Sequence, residues 1–162
     1  FMIERIKWAA EGHDLDPSGV CIEILESVLV EEEGNEVIQN IAGLSRSGFQ
    51  IDLDDFGTGH ASITTLKQFN VDRIKIDRSF ISNIDTNSDQ QKIAGAMIDL
   101  SHSLGVSVLA EGIETEGEYA QAASMGCEFL QGYGIARPMS AVAATEWIKS
   151  YAAKEPVHAA IG

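Results

Sequence analysis

The stretch FQIDLDDFGTG, residues 49–59, decides the fold. An apolar run ends in two carboxylates, Asp54 and Asp55, and a glycine turn follows, with a helical pattern at Ala61–Phe69 beyond it. Neighbouring strand residues point to opposite faces, so both carboxylates serve one site only if the chain turns just after Leu53. Four further runs have a similar form: VCIEI carrying Glu23, DRIKI carrying Lys75, VSVLA ending at Glu111, and CEFL ending at Gln131. Strands that alternate with helices in this way form a parallel sheet with helices outside it. In such folds the carboxyl ends of the strands carry the chemistry.

The strand patterns lie at Gly19–Ile24, Phe49–Leu53, Asp72–Asp77, Val106–Ala110 and Cys127–Leu130, with a short sixth extended piece near Ile135. Helical patterns lie at Ile3–Glu11, Leu29–Arg46, Ala61–Phe69, Gln90–Leu104, Glu116–Met125 and Ala141–Ala153, and the tail 155–162 reads as frayed. The alternation of Arg73, Lys75 and Asp77, and of Ser107, Leu109 and Glu111, suits the lining of a barrel. Strands of an open doubly wound sheet are buried on both faces and run continuously apolar. The fold class is therefore α/β, an incomplete TIM-like (β/α) barrel with about six of the usual eight strands.

A chain of 162 residues, 44% hydrophobic, is long enough for one domain with a core. Cys21 and Cys127 sit in apolar runs and read as buried, reduced thiols of a cytoplasmic protein. No run approaches the ~18–20 apolar residues needed to span a bilayer. A net charge of −14 without a basic cluster argues against nonspecific binding to DNA, RNA or an anionic membrane, none of which is expected as a partner. An acidic rim repels an anionic ligand unless cations bind first, so the charge favours a divalent-metal site acting on a phosphate.

Adjacent carboxylates such as Asp54 and Asp55 can bridge two divalent ions ~4 Å apart, the spacing of in-line phosphoryl displacement. Glu23 and Glu26 lie where a strand becomes a helix; one faces the rim while the other anchors a neighbouring loop. Lys75 either neutralises phosphate charge or forms a buried ion pair with Asp77 on its own strand face. Glu111 and Glu114 double as the acidic first turn of the following helix, and Gln131 as a strand-end cap. Each of these bland readings holds for its residue in isolation, and the recurrence at successive strand ends favours a site. Of the four histidines, His13, His102 and His158 read as surface residues, and His60 stands next to the Asp-Asp turn.

The strings EILES (23–27), DLDDFGTGHAS (52–62), VDRIKIDRSFI (71–81), LAEGIET (109–115) and FLQGYGIARPM (129–139) resemble the EAL-domain family. These are the cyclic di-GMP phosphodiesterases of bacterial second-messenger signalling. The resemblance implies a metal-dependent hydrolase that opens cyclic di-GMP to linear pGpG with Mg²⁺ or Mn²⁺, with Ca²⁺ inhibitory. By motif, Glu23, Asp54 and Asp55 match metal ligands, and Lys75, Glu111 and Gln131 match catalytic groups. Glu26, Glu114 and Asp77 match supporting acids, Glu26 being the anchor of the Asp-Asp loop. The resemblance also implies a homodimer. Two features depart from the pattern: Leu25 replaces a threonine and His60 an aromatic. The family's Glu-Ala-Leu motif and second-strand asparagine are absent, so residues 1–154 read as a partial domain from the third strand onward. A chain of that kind is expected to be weakly active or inactive alone and prone to self-association, with a non-catalytic binding or dimerising module as the alternative.

Overall fold

The computed structural model describes residues 2–27, 35–58, 66 and 71–154. Five strands form one sheet: β1 (Cys21–Leu25), β2 (Gln50–Phe56), β3 (Arg73–Ile76), β4 (Ser107–Ala110) and β5 (Phe129–Leu130). All neighbours are parallel, and their order in the sheet is their order in the chain. A doubly wound sheet reverses direction at a switch point; sequential order is that of a barrel wall. The extended piece expected near Ile135 is instead a turn, closed by hydrogen bonds from the Ile135 and Ala136 N–H groups to the Gly132 carbonyl. Gly132 to Ile135 thus coil back on themselves, and the described residues hold five strands rather than six.

The helices are α1 (Met2–Gly12), α2 (Asn35–Arg46), α3 (Arg78–Ile81), α4 (Ser88–Ser103), α5 (Glu116–Ser124) and α6 (Ala141–Lys154). Asn87 caps α4 by accepting from the Asp89 and Gln90 N–H groups, and Gly105, at φ 75°, takes the left-handed conformation that ends it. Short α3 was not foreseen; the sequence pattern there is too brief for a periodicity, and Asp77 alone starts it. The helix expected at Ala61–Phe69 lies outside the described residues, apart from Leu66, which is helical and buried. The first part of the helix expected from Leu29, the tail 155–162, and His60 and His158 also lie outside them.

Strand alternation divides the sheet into two different faces. Ile24, Ile51, Leu53, Ile74, Ile76, Val108 and Ala110 point toward the helices and are buried. Leu44, Phe49 and Leu66 complete one core cluster; Ile81, Ile84, Ile98, Ile113 and Ala122 complete the other. The opposite face carries Glu23, Asp52, Asp54, Arg73 and Lys75, with Leu25 and Phe129 largely exposed on it. The apolar face fixes register, because a slip of one residue would place these charges in the core.

Glu118 joins the loops on the rim. Its buried carboxylate accepts the backbone N–H groups of Asn83 (2.9 Å), Glu114 (2.9 Å) and Thr115 (3.1 Å). The Thr115 hydroxyl accepts the Glu118 N–H in return, which completes a capping box on α5. Burial pushes this carboxyl up, but the backbone and Thr115 donors outweigh it and hold it below its ordinary value. A depressed carboxyl stabilises the fold above the unfolded-state pKa and loses that contribution as pH falls through the folded value. Glu118→Gln is therefore expected to lower stability by ~1–3 kcal/mol at neutral pH. In urea unfolding the gap from the parent should narrow in acid; a gap independent of pH would contradict the assignment.

Candidate active site

Lys75 is the centre of the rim. It is 3% exposed, and its ammonium donates to Glu23 Oε1 at 2.9 Å, Asp54 Oδ1 at 2.9 Å and Glu111 Oε1 at 2.8 Å. Those acceptors come from β1, β2 and the end of β4, so one side chain ties together three strand ends. Burial alone would favour neutral lysine, but the bonds to Glu111, Asp54 and Glu23 outweigh it, and its pKa rises above the ordinary value. Lys75 is therefore ammonium throughout the physiological range. The alternative of an ion pair with Asp77 does not hold: Asp77 turns away to cap α3, accepting the Ser79 N–H at 2.9 Å.

The two aspartates reach one site by a different device from the turn expected after Leu53. β2 continues to Phe56, and its register against β3 shifts between Leu53 and Phe56. Asp55 sits at φ 57° within that bulge, a left-handed conformation that aspartate tolerates better than most residues. The bulge cancels the alternation of the strand and brings both carboxylates to the rim. Glu26 fixes the bulge: its N–H donates to the Asp54 carbonyl (3.1 Å), and its Oε2 accepts the Gly57 N–H (3.0 Å). Gly57 has φ 99°, and an added Cβ there would collide with Phe80 and Met97.

Carboxylate oxygens of Asp54, Asp55 and Glu111 all lie within 4.8 Å of one another. Glu23 stands outside that triplet and reaches it through Lys75. Burial and then the charges of Asp54 and Asp77 raise the pKa of Asp55. Burial also raises Glu111; Lys75 opposes this, while Asp54 and Asp55 add to it. Four carboxylates against one ammonium leave an excess of negative charge on the rim. An all-oxygen donor set with that charge fits a hard divalent cation such as Mg²⁺ or Mn²⁺.

The loops after β4 and β5 form the adjoining wall. The Gln131 N–H donates to the Ala110 carbonyl (2.9 Å), the Ile113 N–H to the Gln131 carbonyl (3.0 Å), and the Gly134 N–H to the Ile113 carbonyl (2.8 Å). Glu114 pairs with Arg78 at 2.8 Å. Arg78, Glu114 and Gln131, with Glu111, Gly112, Gly132 and Tyr133, line a cleft of about 280 Å³, so Gln131 borders the same space as Glu111. His13 is exposed, and His102 pairs with Glu128 at 3.0 Å away from the rim. The sequence reading missed a buried pair, Asp52 with Arg73, one row below Lys75. Its signal was present: Asp52 and Asp54 alternate on β2 as Arg73 and Lys75 do on β3.

The sequence profile of the EAL domain matches residues 1–138. The chain belongs to the EAL domain family. Among its relatives, MucR of Pseudomonas aeruginosa, a bifunctional diguanylate cyclase and cyclic di-GMP phosphodiesterase, is 34% identical over 86% of this chain. The cyclic di-GMP phosphodiesterase PdeR of Escherichia coli is 36% identical over 82% of it. The chain spans about a fifth of either relative, 20% in both cases. Among solved structures, the EAL domain of Mycobacterium smegmatis DcpA superposes with a TM-score of 0.84 at 33% identity, covering 91% of this chain and 66% of that one. A manganese and cyclic di-GMP complex of Klebsiella pneumoniae BlrP1 gives a TM-score of 0.74 at 28% identity, covering 83% and 35%.

The wall of this EAL domain depends on Gly132. A Cβ there would fall on the backbone of Ile113, which cannot move without breaking its bonds to Gln131 and Gly134. Gly132→Ala is expected to cost ~1–3 kcal/mol in denaturant unfolding. An unchanged midpoint would mean that the two loops are held apart in solution.

Proposed function

We propose that this EAL domain is the greater part of a metal-dependent cyclic di-GMP phosphodiesterase site. The observation that carries the reading is the Asp54–Asp55–Glu111 triplet beside a buried, three-way paired Lys75. Asp54, Asp55 and Glu111, with Glu23, would hold Mg²⁺ or Mn²⁺. When bound, such ions activate water and neutralise phosphate charge. Lys75 holds the carboxylates in register and presents positive charge toward the phosphate. Glu111 would take a proton from the attacking water through a carboxylate oxygen not engaged by the ion, and Gln131 borders the same cleft. The water oxygen bonds to phosphorus, one ester P–O bond breaks, the leaving oxygen gains a proton, and linear pGpG results. Glu26 and Glu114 support the site through the Asp-Asp bulge and Arg78, and Asp77 through α3.

The relatives named as cyclic di-GMP phosphodiesterases support the substrate, and the BlrP1 complex supports the metal. The functional unit is taken to run to Lys154, to work in the cytoplasm and to associate as a homodimer, with Ca²⁺ inhibitory. No helix among the described residues is long and apolar enough to cross a membrane.

The first test is calorimetric titration of Mn²⁺ and then cyclic di-GMP, followed by chromatography for pGpG. Asp55→Asn is expected to reduce Mn²⁺ affinity at least tenfold by removing one charged ligand. Little product is expected from the 162 residues alone. Binding without product in an assembly that includes the missing part of the barrel would favour a non-catalytic sensor. Protonated carboxyls do not bind metal, and Asp55 and Glu111 protonate at higher pH than ordinary carboxyls. Mn²⁺ affinity should therefore begin to fall on acidification before ordinary carboxylates titrate; a decline confined to the ordinary carboxylate range would contradict the site.

A further inference from the structure

Beneath the rim, on the same face of the sheet, lies a second charged row that the proposed chemistry does not use. Asp52 is 1% exposed, and its Oδ2 accepts from Arg73 Nε at 2.7 Å and Nη2 at 2.6 Å. The Arg73 guanidinium lies over the Phe129 ring, 4.5 Å from its centroid, and 4.0 Å from Cys21 Sγ. The pair, formed between β2 and β3, therefore also touches side chains from β1 and β5. Burial, and then Asp52, push the Cys21 thiol up to about 11, so Cys21 brings no charge of its own. Asp52 Oδ1 is buried and has no hydrogen-bond partner among the described residues.

Arg73 and Lys75 share a strand and a face, two residues apart. Asp52 is opposite Arg73 in register, so it is a diagonal neighbour of Lys75. It also lies opposite Glu23, one of the carboxylates that Lys75 holds. A buried carboxylate without a cation is strongly unfavourable, and the nearest ammonium would be drawn to it even from other partners. Lys75 is that ammonium. We infer that Arg73 is a positioning residue acting through Asp52: by neutralising this buried carboxylate, it keeps the Lys75 ammonium on the rim. Two cations on β3 thus divide the carboxylates of one face into a closed pair and an open, ligand-competent cluster.

The inference concerns Lys75 itself; its consequence for metal rests on the site proposed above. The test uses the 162-residue chain, Mn²⁺ calorimetry, and NMR of isotope-labelled lysine to follow the Lys75 Cε. Arg73→Met should move the Lys75 resonance as the ammonium turns toward Asp52. It should also raise Mn²⁺ affinity roughly three- to tenfold, the size expected when one unit charge leaves the cluster. The double variant Asp52→Asn/Arg73→Met removes both charges and should return resonance and affinity to parent values. A Lys75 resonance unmoved by Arg73→Met, or not restored in the double variant, overturns the inference. If Arg73→Met does not fold, Arg73→Gln, which can hydrogen-bond Asp52 without neutralising it, takes its place and should move the Lys75 resonance in the same direction; a parent-like resonance would be fatal. If the parent binds no Mn²⁺, the metal reading fails, while the lysine resonance still decides the role of Arg73.

Discussion

One buried ammonium constrains everything on the rim. Lys75 is almost fully enclosed and holds carboxylates from β1, β2 and β4 at 2.8–2.9 Å. Taking such a group out of water is costly, and an isolated buried pair is weak evidence for stability. Here the ammonium meets three acceptors, as many as its protons, so no donor is left unmet. Its effect is on specificity more than stability. Three strand ends must lie at one height for the bonds to form, and their carboxylates are then gathered before any ligand arrives. That is preorganisation, the property on which electrostatic catalysis depends.

The same constraint explains the bulge. An unbroken β2 would send Asp54 to the rim and Asp55 to the helices, where Leu53 and Phe56 are packed. Placing Asp55 at positive φ brings it round to its neighbour at the cost of local backbone strain. Glu26 and Gly57 hold that conformation from either side. The rim is thus supported by a second layer of acids, Glu26 and Glu118, whose bonds to backbone N–H groups fix loops.

The sheet was legible in the sequence because each strand pattern ends in a residue that no apolar core accepts, such as Glu23, Asp54 or Glu111. Period-two alternation at Arg73 and Lys75 correctly indicated a polar interior face. What the sequence hid was conformational or relational. The bulge reads as a plain strand end, since nothing in Asp-Asp-Phe-Gly distinguishes a turn after Leu53 from a positive φ at Asp55. Ile135 looks extended by composition, but the Gly132 carbonyl accepts the Ile135 and Ala136 N–H groups and makes a turn. The partner of Lys75 was equally hidden: strand alternation allows Asp77, while the Ser79 N–H claims that carboxylate for α3. Local capping won over a same-face ion pair because the helix N-terminus offers donors that are otherwise unmet.

Lys75 and a divalent cation at the proposed site would draw on the same carboxylates. Asp54 Oδ1 and Glu111 Oε1 already accept from the ammonium, and both residues belong to the triplet that fits a metal. A carboxylate has a second oxygen and about four lone-pair sites, so each can serve both cations at once. Sharing is electrostatically tolerable only where negative charge is in excess, and the rim has that excess: four carboxylates face one ammonium. Had Asp52 also been open, Lys75 would have had a fourth acceptor, this one below the rim. The closed Asp52–Arg73 pair removes that choice, so the ammonium stays with the carboxylates proposed above to hold metal.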